Sequence, residues 1–462
     1  MRTDTHGKAN KSMVLKSLRH AALLAMVTLP IALLSAMAFA AEPSTMPAPA
    51  AAASASASTA QVSAIKPGTV IGKDNANEAA NLLSPGNLIL VQRGMEIHVI
   101  PSEKLDWPPP YKAATEKYQS QVGLSSDGEI TNYVAGQPFP LVDPNDAQAA
   151  LKVMWNFSFR PLYSDDADLR YAQIASYAAN SSGAPVSYFT VGHFAFYNNI
   201  GRIEVPPVPT DPDAKASDVR YRFAYYPLLE PSMLRGYGMI RYRHLDPKVD
   251  DNTWVFNPQT RRLRRQSPQI LSDALAALPG FSGFGGGTGA TAAVTTIDPD
   301  SYFGFAAKIE DFTYKFLGEK SMLACVHAKN SPEKPCATDG GHSICPEDWE
   351  IRRLYAIEAD TKPGHDLSIP KRILYIDSEG WFITASDQYD RNGKLWKTIA
   401  TFNTYRDRPV PDAKVAIYPY KRMFQLGLVD EDVQQGASSV IYMPGREAQE
   451  RECWYIDMGV VD

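Results

Sequence analysis

Between residues 186 and 405 the chain runs through ten stretches rich in Val, Tyr, Phe and Ile, each short and each bounded by turn-forming residues, and no other feature narrows its possible folds as much. The stretches fall at 186–197, 220–229, 237–244, 253–265, 308–317, 321–328, 349–359, 371–377, 381–388 and 395–405. Asp246-Pro247, Asn257-Pro258, Ser378-Glu379-Gly380 and Asn392-Gly393 separate them, and such clusters punctuate strands. Asn392-Gly393 predicts a type I′ hairpin, a turn that needs two residues tolerant of positive φ. The intervals are too short for crossover helices, so the sheet is expected to be antiparallel. Segments such as Tyr355 to Glu358 are apolar or aromatic at both parities, whereas a sheet with one wet face alternates more strictly. The fold class expected is therefore α+β: a strongly curved antiparallel sheet, an incomplete barrel, whose concave side meets covering helices or a ligand.

Ahead of the strands the texture is mixed. Asn77 to Leu83 reads as a short helix stopped by Pro85-Gly86, and Leu88 to Ile100 as a strand or hairpin. Tyr111 to Val122 reads as a helix with Tyr111, Ala114, Tyr118 and Val122 on one face. Asp143-Pro144 predicts a further helix start, leading to Ala150, Val153 and Met154. The divisions expected are a mixed segment 65–184 bracing or lidding the sheet, the sheet over 185–420, and a C-terminal segment 421–462 packed on it.

Residues 1–40 have the makeup of an export leader: Lys8, Lys11, Lys16 and Arg19, then Ala21 to Leu34 broken by Pro30, then Ala38-Phe39-Ala40. Cleavage is expected after Ala40. No later segment approaches the 18 or so uninterrupted apolar residues of a span, so the mature chain is expected to be soluble. Loss of the leader removes five Lys/Arg and one Asp from totals of 46 and 51 and leaves a net charge of −9. That balance excludes a general nucleic-acid binder, which needs a basic face. Residues 41–64, mostly Ala, Pro and Ser, are too poor in large apolar groups to pack and read as a disordered tether. From Ile65 onward apolar content is ample, with 23 Tyr, 18 Phe and 7 Trp in the whole chain, so the remainder can bury a large core.

Cys325, Cys336, Cys345 and Cys453 follow the leader, and an even count in an exported chain points to disulfides. The short Cys336–Cys345 loop closes easily, leaving Cys325 to pair with Cys453 or stay free. A metal site is the alternative, because His327 and His342 lie among three of the cysteines, but the paired spacing of zinc sites is absent. Gly280 to Gly289 lacks the Gly-Lys-Ser/Thr end of a phosphate loop and reads as a mobile loop, so no nucleotide or other cofactor is expected.

Catalytic signatures are missing too. There is no H-E-x-x-H or G-x-S-x-G, and His98, His193, His244, His327, His342 and His365 are scattered, so any dyad has to be assembled by the fold. Asp165-Asp166 and Asp250-Asp251 are adjacent, and consecutive strand residues point to opposite faces, which suits neither pair to glycoside chemistry. The unusual local feature is Arg261-Arg262-Leu263-Arg264-Arg265. On a strand Arg262 and Arg264 share one face and Arg261, Leu263 and Arg265 the other. Two readings follow: an ion-pair lattice with Asp250, Asp251 or Asp273, or recognition of an anionic head group or partner carboxylates.

Several stretches carry a family resemblance. Tyr133 to Pro140 with Asp146, Lys152, Trp155 and Asn156 is one, and Asp251 to Pro258 running into the arginine block and Asp273 is another. Trp349-Glu350-Ile-Arg352 with Tyr355 and Glu358, Lys371 to Asp377, and Tyr389 to Lys397 complete the set. Together they resemble secreted proteobacterial proteins known as domain of unknown function 1329. That family looks like a distant member of the LolA/LolB-like outer-membrane lipoprotein-sorting superfamily, whose fold is an incomplete antiparallel barrel closed by helices around an apolar cavity for acyl chains. The resemblance implies a periplasmic location in a Gram-negative envelope, and as partners a resistance-nodulation-division exporter or an outer-membrane protein. It transfers no catalytic residue. The tether, the Gly-rich loop and the Cys325 to Cys345 insertion depart from the common pattern.

The function expected is a carrier or chaperone-like protein for a hydrophobic molecule: a lipid, an acyl chain or a sterol-like compound. Ten buried methylenes contribute roughly 8 kcal/mol before ordering costs, so a greasy cavity suffices. Tyr237, Met239, Ile240, Tyr242, Trp254, Phe256, Leu374, Tyr375, Trp381 and Phe382 are the candidate cavity residues, with Arg262 and Arg264 as head-group anchors at its rim. The alternatives are an accessory docking subunit of an envelope transport complex, which would expose an apolar patch, and an envelope hydrolase.

Overall fold

The computed structural model describes residues 65–443 except 180, 182, 267–295, 297–298, 330–335, 366, 368 and 409–416, and the backbone of 446–447. The leader, the tether, the Gly280–Gly289 loop, Asp273 and Cys453 lie outside the described residues. Helices are few: α1 (Pro85–Arg93), α2 (Pro109–Tyr118), α3 (Ala149–Ser158) and the single turn α4 (Ala214–Ser217). The early strands are short: β1 (Val70–Ile71), β2 (Ile97–Val99), β3 (Gly123–Leu124) and β4 (Ile130–Thr131). The long ones follow as β5 (Asp166–Tyr177), β6 (Ser187–Asn198), β7 (Val219–Glu230), β8 (Gly238–His244), β9 (Asn252–Asn257), β10 (Arg262–Gln266), β11 (Phe312–Ala324) and β12 (Glu347–Thr361). The last are β13 (Lys371–Asp377), β14 (Ile383–Tyr389), β15 (Leu395–Arg406), β16 (Arg422–Asp432), β17 (Ala437–Tyr442) and β18 (Arg446–Glu447).

All but the β3–β4 hairpin join one large curved, unclosed sheet, so the chain is α+β. Its order is β1-β2-β12-β13-β14-β15-β16-β17-β5-β6-β7-β8-β9-β10, with β11 beside β12 and β18 beside β5. Two antiparallel meanders, β5–β10 and β11–β17, are thus sewn together where β17 pairs with β5. The sheet extends on both sides of the 185–420 span, taking in β5 before it and β16 and β17 after it. One junction departs from the antiparallel expectation: β2 runs parallel to the start of β12, which a long intervening chain permits.

The N-terminal expectations need correction. The expected short helix is present as a 3-10 helix over Ala76–Leu82, but Pro85-Gly86 also opens a helix of its own: Pro85 occupies the first turn, where its missing N–H costs nothing, and Ser84 Oγ accepts from Asn87 N at 3.1 Å as the N-cap. Leu88 to Ile100 is accordingly helix to Arg93, a positive-φ Gly94, then β2, because a short apolar run has no period that separates a buried helix from a strand. A Cβ at Gly86 would collide with Thr398 and Asp387, so the glycine lets α1 sit on the sheet. The third helix starts at Ala149, later than Asp143-Pro144, and carries Ala150, Val153 and Met154 as buried residues.

Later segments follow the expected strands closely. The stretches 308–317 and 321–328 form one strand, β11, whose register shifts between Phe316 and Gly318. At the Asn392-Gly393 turn only Gly393 has positive φ, and Gly393 N donates to Asp390 O at 2.9 Å. With the register shift beside Tyr389 this is a three-residue loop with a bulge, not a type I′ turn. Cys336 and Cys345 form a disulfide, and Cys325 is a buried free thiol whose pKa burial pushes well up.

Over the β11–β14 half, α3 closes the core. Val153, Met154, Trp155 and Phe157 pack with Ile357, Leu374, Ile376, Trp381 and Ile383. Several of the family-like residues serve this placement. Asn156 clamps Phe139, accepting from its N–H at 2.9 Å and donating to its carbonyl at 2.7 Å, and Trp155 Nε1 donates to Gly128 O at 3.1 Å. Arg352 Nε donates to Asp377 Oδ2 at 2.8 Å, and its other nitrogens reach Glu350 at 3.1 Å and Glu379 at 3.0 Å, neutralising a charge on an almost fully buried guanidinium.

Candidate functional site

Four strands of the other half build a graded wall. Because cross-strand partners share a face, the register defines successive rungs two residues apart. The first is Leu169, Phe194, Tyr225 and Met239; the second is Ala167, Phe196, Phe223 and Arg241; the third is Asn198, Tyr221 and Arg243. Polarity therefore rises along the face in one direction, from wholly apolar to aromatic with one cation to polar.

A strap over residues 299–311 crosses this wall. Tyr302 meets Phe194 edge-on at 5.7 Å between ring centroids and lies 6.0 Å from Phe223, while Phe303, at positive φ, lies 5.4 Å from Phe196. Arg243 ties the strap down, donating to Ala306 O at 3.1 Å and Ala307 O at 3.2 Å. Asp251 holds Arg241 Nε at 2.7 Å and Arg243 Nη2 at 2.9 Å. Burial alone would raise its carboxyl, but the two guanidiniums override burial and hold it well below the usual carboxylate range. Asp251, one of the three carboxylates considered for the arginine block, is thus engaged by β8.

The strap leaves space on both sides. A cleft of about 1010 Å³, solvent mouth included, lies between Phe196, Phe223, Tyr221 and the α3 end at Phe157 and Arg160. Behind Tyr302 a smaller space of about 450 Å³ is walled by Ile174, Phe189, Val191, Leu228, Ile441 and Met443. Its wall also holds the Tyr225 hydroxyl, buried without a hydrogen-bond partner, and burial raises that phenol well above its ordinary pKa. At the opposite end, past Ser158, Arg160, Tyr163, Asn198 and Tyr221, which the two spaces share, the cleft continues into a polar pocket of about 590 Å³. Tyr111, Tyr133, Asp165, Glu204 and Arg220 complete that pocket. Its two acids are engaged: Asp165 accepts backbone N–H groups of Ile203, Glu204 and Val205, and Glu204 pairs with Arg422.

The residues singled out from sequence are distributed elsewhere. Tyr237 and Met239 join the main core with the wall residues. Ile240, Tyr242 and Trp254 lie on the opposite face of the same strands with Ala195, Ala224 and Leu263, and Phe256 stands edge-on to Tyr226 at 6.1 Å. Leu374 and Trp381 pack under α3, Tyr375 on the reverse face with Leu354, and Phe382 with Leu105 and Val326. None of these ten lines the three spaces. Met239 with Ile240 and Leu374 with Tyr375 are consecutive strand residues, so the pleat sends each pair to opposite faces. Arg262 and Arg264 do share a face, opposite Asn257 and Val255, but they are exposed on the edge strand β10 and line none of the spaces either.

Arg241 and Arg243 line the cleft but are held by Asp251; the other cations, Arg160 at both the cleft and the polar pocket and Arg220 at the polar pocket, carry little signal in the sequence. Arg160 is a single arginine after an apolar helix, and Arg220 opens β7 where the pairing shifts between Val219 and Tyr221. That bulge re-aims Arg220 toward α3, where its guanidinium stacks 4.3 Å from the Phe159 ring. Several histidine contacts also arise only on folding. Ser438 Oγ lies 2.9 Å from His342 Nδ1 and Asp168 Oδ2 lies 2.9 Å from His193 Nδ1, and neither pair lines any of the three spaces.

Comparison with known proteins places the chain among proteins without assigned chemistry. The family model described as Protein of unknown function (DUF1329) matches residues 70–450. An uncharacterized protein of Pseudomonas aeruginosa is 25% identical over 402 residues, covering 82% of this chain and 81% of that one. Among solved structures, a domain from Vibrio parahaemolyticus provisionally titled as an outer membrane lipoprotein-sorting protein covers 68% of this chain and 99% of its own, at 13% identity and a TM-score of 0.43. A LolA superfamily protein from Nitrosomonas europaea covers 61% of this chain and 85% of its own, at 13% identity and a TM-score of 0.32.

Proposed function

Because the chain belongs to the DUF1329 family, whose description supplies no chemistry, we propose its function from the cleft: it is a carrier that shelters a hydrophobic molecule in the space between the β5–β8 wall and the strap. The observation that carries this reading is the graded wall, apolar at the rung of Leu169, Phe194, Tyr225 and Met239 and open to solvent at the other end. A folded protein closes such gaps with its own side chains unless something else fills them. Each methylene moved from water into the cleft contributes about 0.8 kcal/mol, so an acyl chain or a sterol-like body is retained without any catalytic group. No helix among the described residues is long and apolar enough to cross a membrane. On this reading the leader delivers the carrier to the envelope, where an exporter or an outer-membrane protein loads or unloads it.

Native mass spectrometry of protein purified from the bacterial envelope tests the proposal. A retained lipid-sized mass, lost in a Phe223→Trp variant that fills the cleft, is the expected result. An empty chain that also binds no lipid analogue overturns it. A docking role is the second reading, favoured by one observation: Arg261, Arg262, Arg264 and Arg265 are all exposed at the β10 edge, where charges meet an acidic partner or keep the edge from pairing.

A further inference from the structure

Several arginines buried elsewhere in the molecule are paired with a carboxylate. Arg202 is bidentate on Asp166 at 2.6 and 2.8 Å, Arg422 pairs with Glu204, Arg352 with Asp377, and Arg241 and Arg243 with Asp251. Arg160 and Arg220 differ. No carboxylate among the described residues lies within ion-pair distance of either. A guanidinium offers five N–H donors. Arg160 places one, from Nη1 to Phe157 O at 2.6 Å, and its Nε is buried without a partner. Arg220 places one, from Nη2 to Ser158 Oγ at 2.5 Å. Both planes are propped by rings, Arg160 at 3.9 Å from Phe157 and Arg220 at 4.3 Å from Phe159. Each is largely buried and only partly exposed, at the polar end of the cleft, and burial lowers the pKa of both.

Capping of the α3 C-terminus accounts for one hydrogen bond of Arg160 and leaves the rest of the fork idle. Two oriented, stacked forks with unused donors at the wet end of an apolar cleft match one ligand chemistry, an anion covalently attached to an apolar chain. We infer that the cleft takes an anionic amphiphile, its carboxylate or phosphate head held by Arg160 and Arg220 and its chain lying along Phe196 and Phe223 toward Tyr302. The inference rests on the carrier reading and sharpens it by naming the head group. The charge falls where the wall is already polar, beside Tyr221 and Asn198, and the chain falls where it is not. Asp165 and Glu204 do not oppose the head group, because their oxygens are occupied by backbone N–H groups and by Arg422.

Titration calorimetry on the full chain, freed of bound lipid, tests it with four probes, the three amphiphiles sharing a twelve-carbon chain: sodium laurate, dodecyl phosphate, dodecyl maltoside and inorganic phosphate. The anionic amphiphiles are expected to bind at least about tenfold tighter than the neutral one, the scale of one charge-assisted hydrogen bond. The margin between laurate and dodecyl phosphate, whose chains are equal in length, tells which head is preferred. Arg160→Gln with Arg220→Gln is expected to erase the preference while leaving maltoside affinity and melting temperature in place, and Arg160→Lys with Arg220→Lys to keep part of it. Equal affinity for neutral and anionic chains overturns the head-group assignment and leaves the carrier. Inorganic phosphate binding as tightly as dodecyl phosphate overturns the amphiphile in favour of a free-anion site. A preference that persists in the Gln double variant overturns the role of these two arginines. Binding of no amphiphile at all removes the carrier reading itself.

Discussion

The β5–β10 and β11–β17 meanders are built from similar strands, yet one is closed and the other is hollow. Over β11–β14, α3 delivers Val153, Met154, Trp155 and Phe157 into a continuous core, and the buried Arg352 is surrounded by Glu350, Asp377 and Glu379. Over β5–β8 the cover is a narrow strap, held by Arg243 and a few aromatic rings, with open space on either side and two guanidiniums that form no ion pair among the described residues. A sheet face does not by itself decide between core and cavity. What decides is whether a helix or an irregular segment lies on it, because a helix presents a side chain to the sheet on every turn and a strap does not.

The sharpest way to break this contrast is to remove a cation from each half. Arg352→Ala strands three acidic groups and is expected to cost about 3–5 kcal/mol, whereas Arg160→Gln, which has no carboxylate to strand, is expected to change stability by less than about 1 kcal/mol. Urea unfolding of both variants measures the difference, and equal losses would mean that Arg160 is as structural as Arg352.

A smaller effect belongs to Asp387 in the closed half. It is buried on β14 and accepts from Thr398 Oγ1 at 2.8 Å, Ser84 Oγ at 3.1 Å and Gly86 N at 3.3 Å. Burial pushes its pKa up to about 6, with those hydrogen bonds opposing. A carboxyl raised in the folded state holds a proton that the unfolded chain has released, so its contribution is complete below the ordinary carboxylate pKa and is lost as pH rises through about 6. Wild type is expected to gain about 1 kcal/mol from this group between pH 7 and pH 5, and Asp387→Asn to lack that gain, as read from the difference between their unfolding free energies at each pH. Identical slopes would assign the pH dependence elsewhere.

The smallest expected change is in the hollow half. Tyr225→Phe removes a buried hydroxyl that has no partner and is expected to be neutral or stabilising by under about 1 kcal/mol. Thermal melting with and without oleate measures it, and a clear loss only in the ligand-bound melt would make that hydroxyl a ligand contact.

Strands were legible because most are buried on both faces, which writes continuous apolar runs into the chain; β14, β15 and β16 are nearly wholly buried. Helix α1 was illegible for the same reason, since its Leu-Ile-Leu-Val run is equally apolar in either conformation. The anionic-head arginines show the opposite failure. Arg261 to Arg265 stand out as a block and end at a sheet edge, while Arg160 and Arg220, sixty residues apart and locally unremarked, meet at the end of α3 through a turn and a bulge.

By itself the sequence determined the local matters: where most strands between residues 186 and 405 lie, which cysteines could close a short loop, and that an antiparallel sheet apolar on both faces would result. Those follow from side-chain chemistry and spacing over a few residues. Tertiary structure alone decided which face each apolar residue took, which half of the sheet was sealed, and which arginines lacked a carboxylate. Burial and charge pairing are properties of neighbours brought together across the fold, and a linear chain does not state its neighbours.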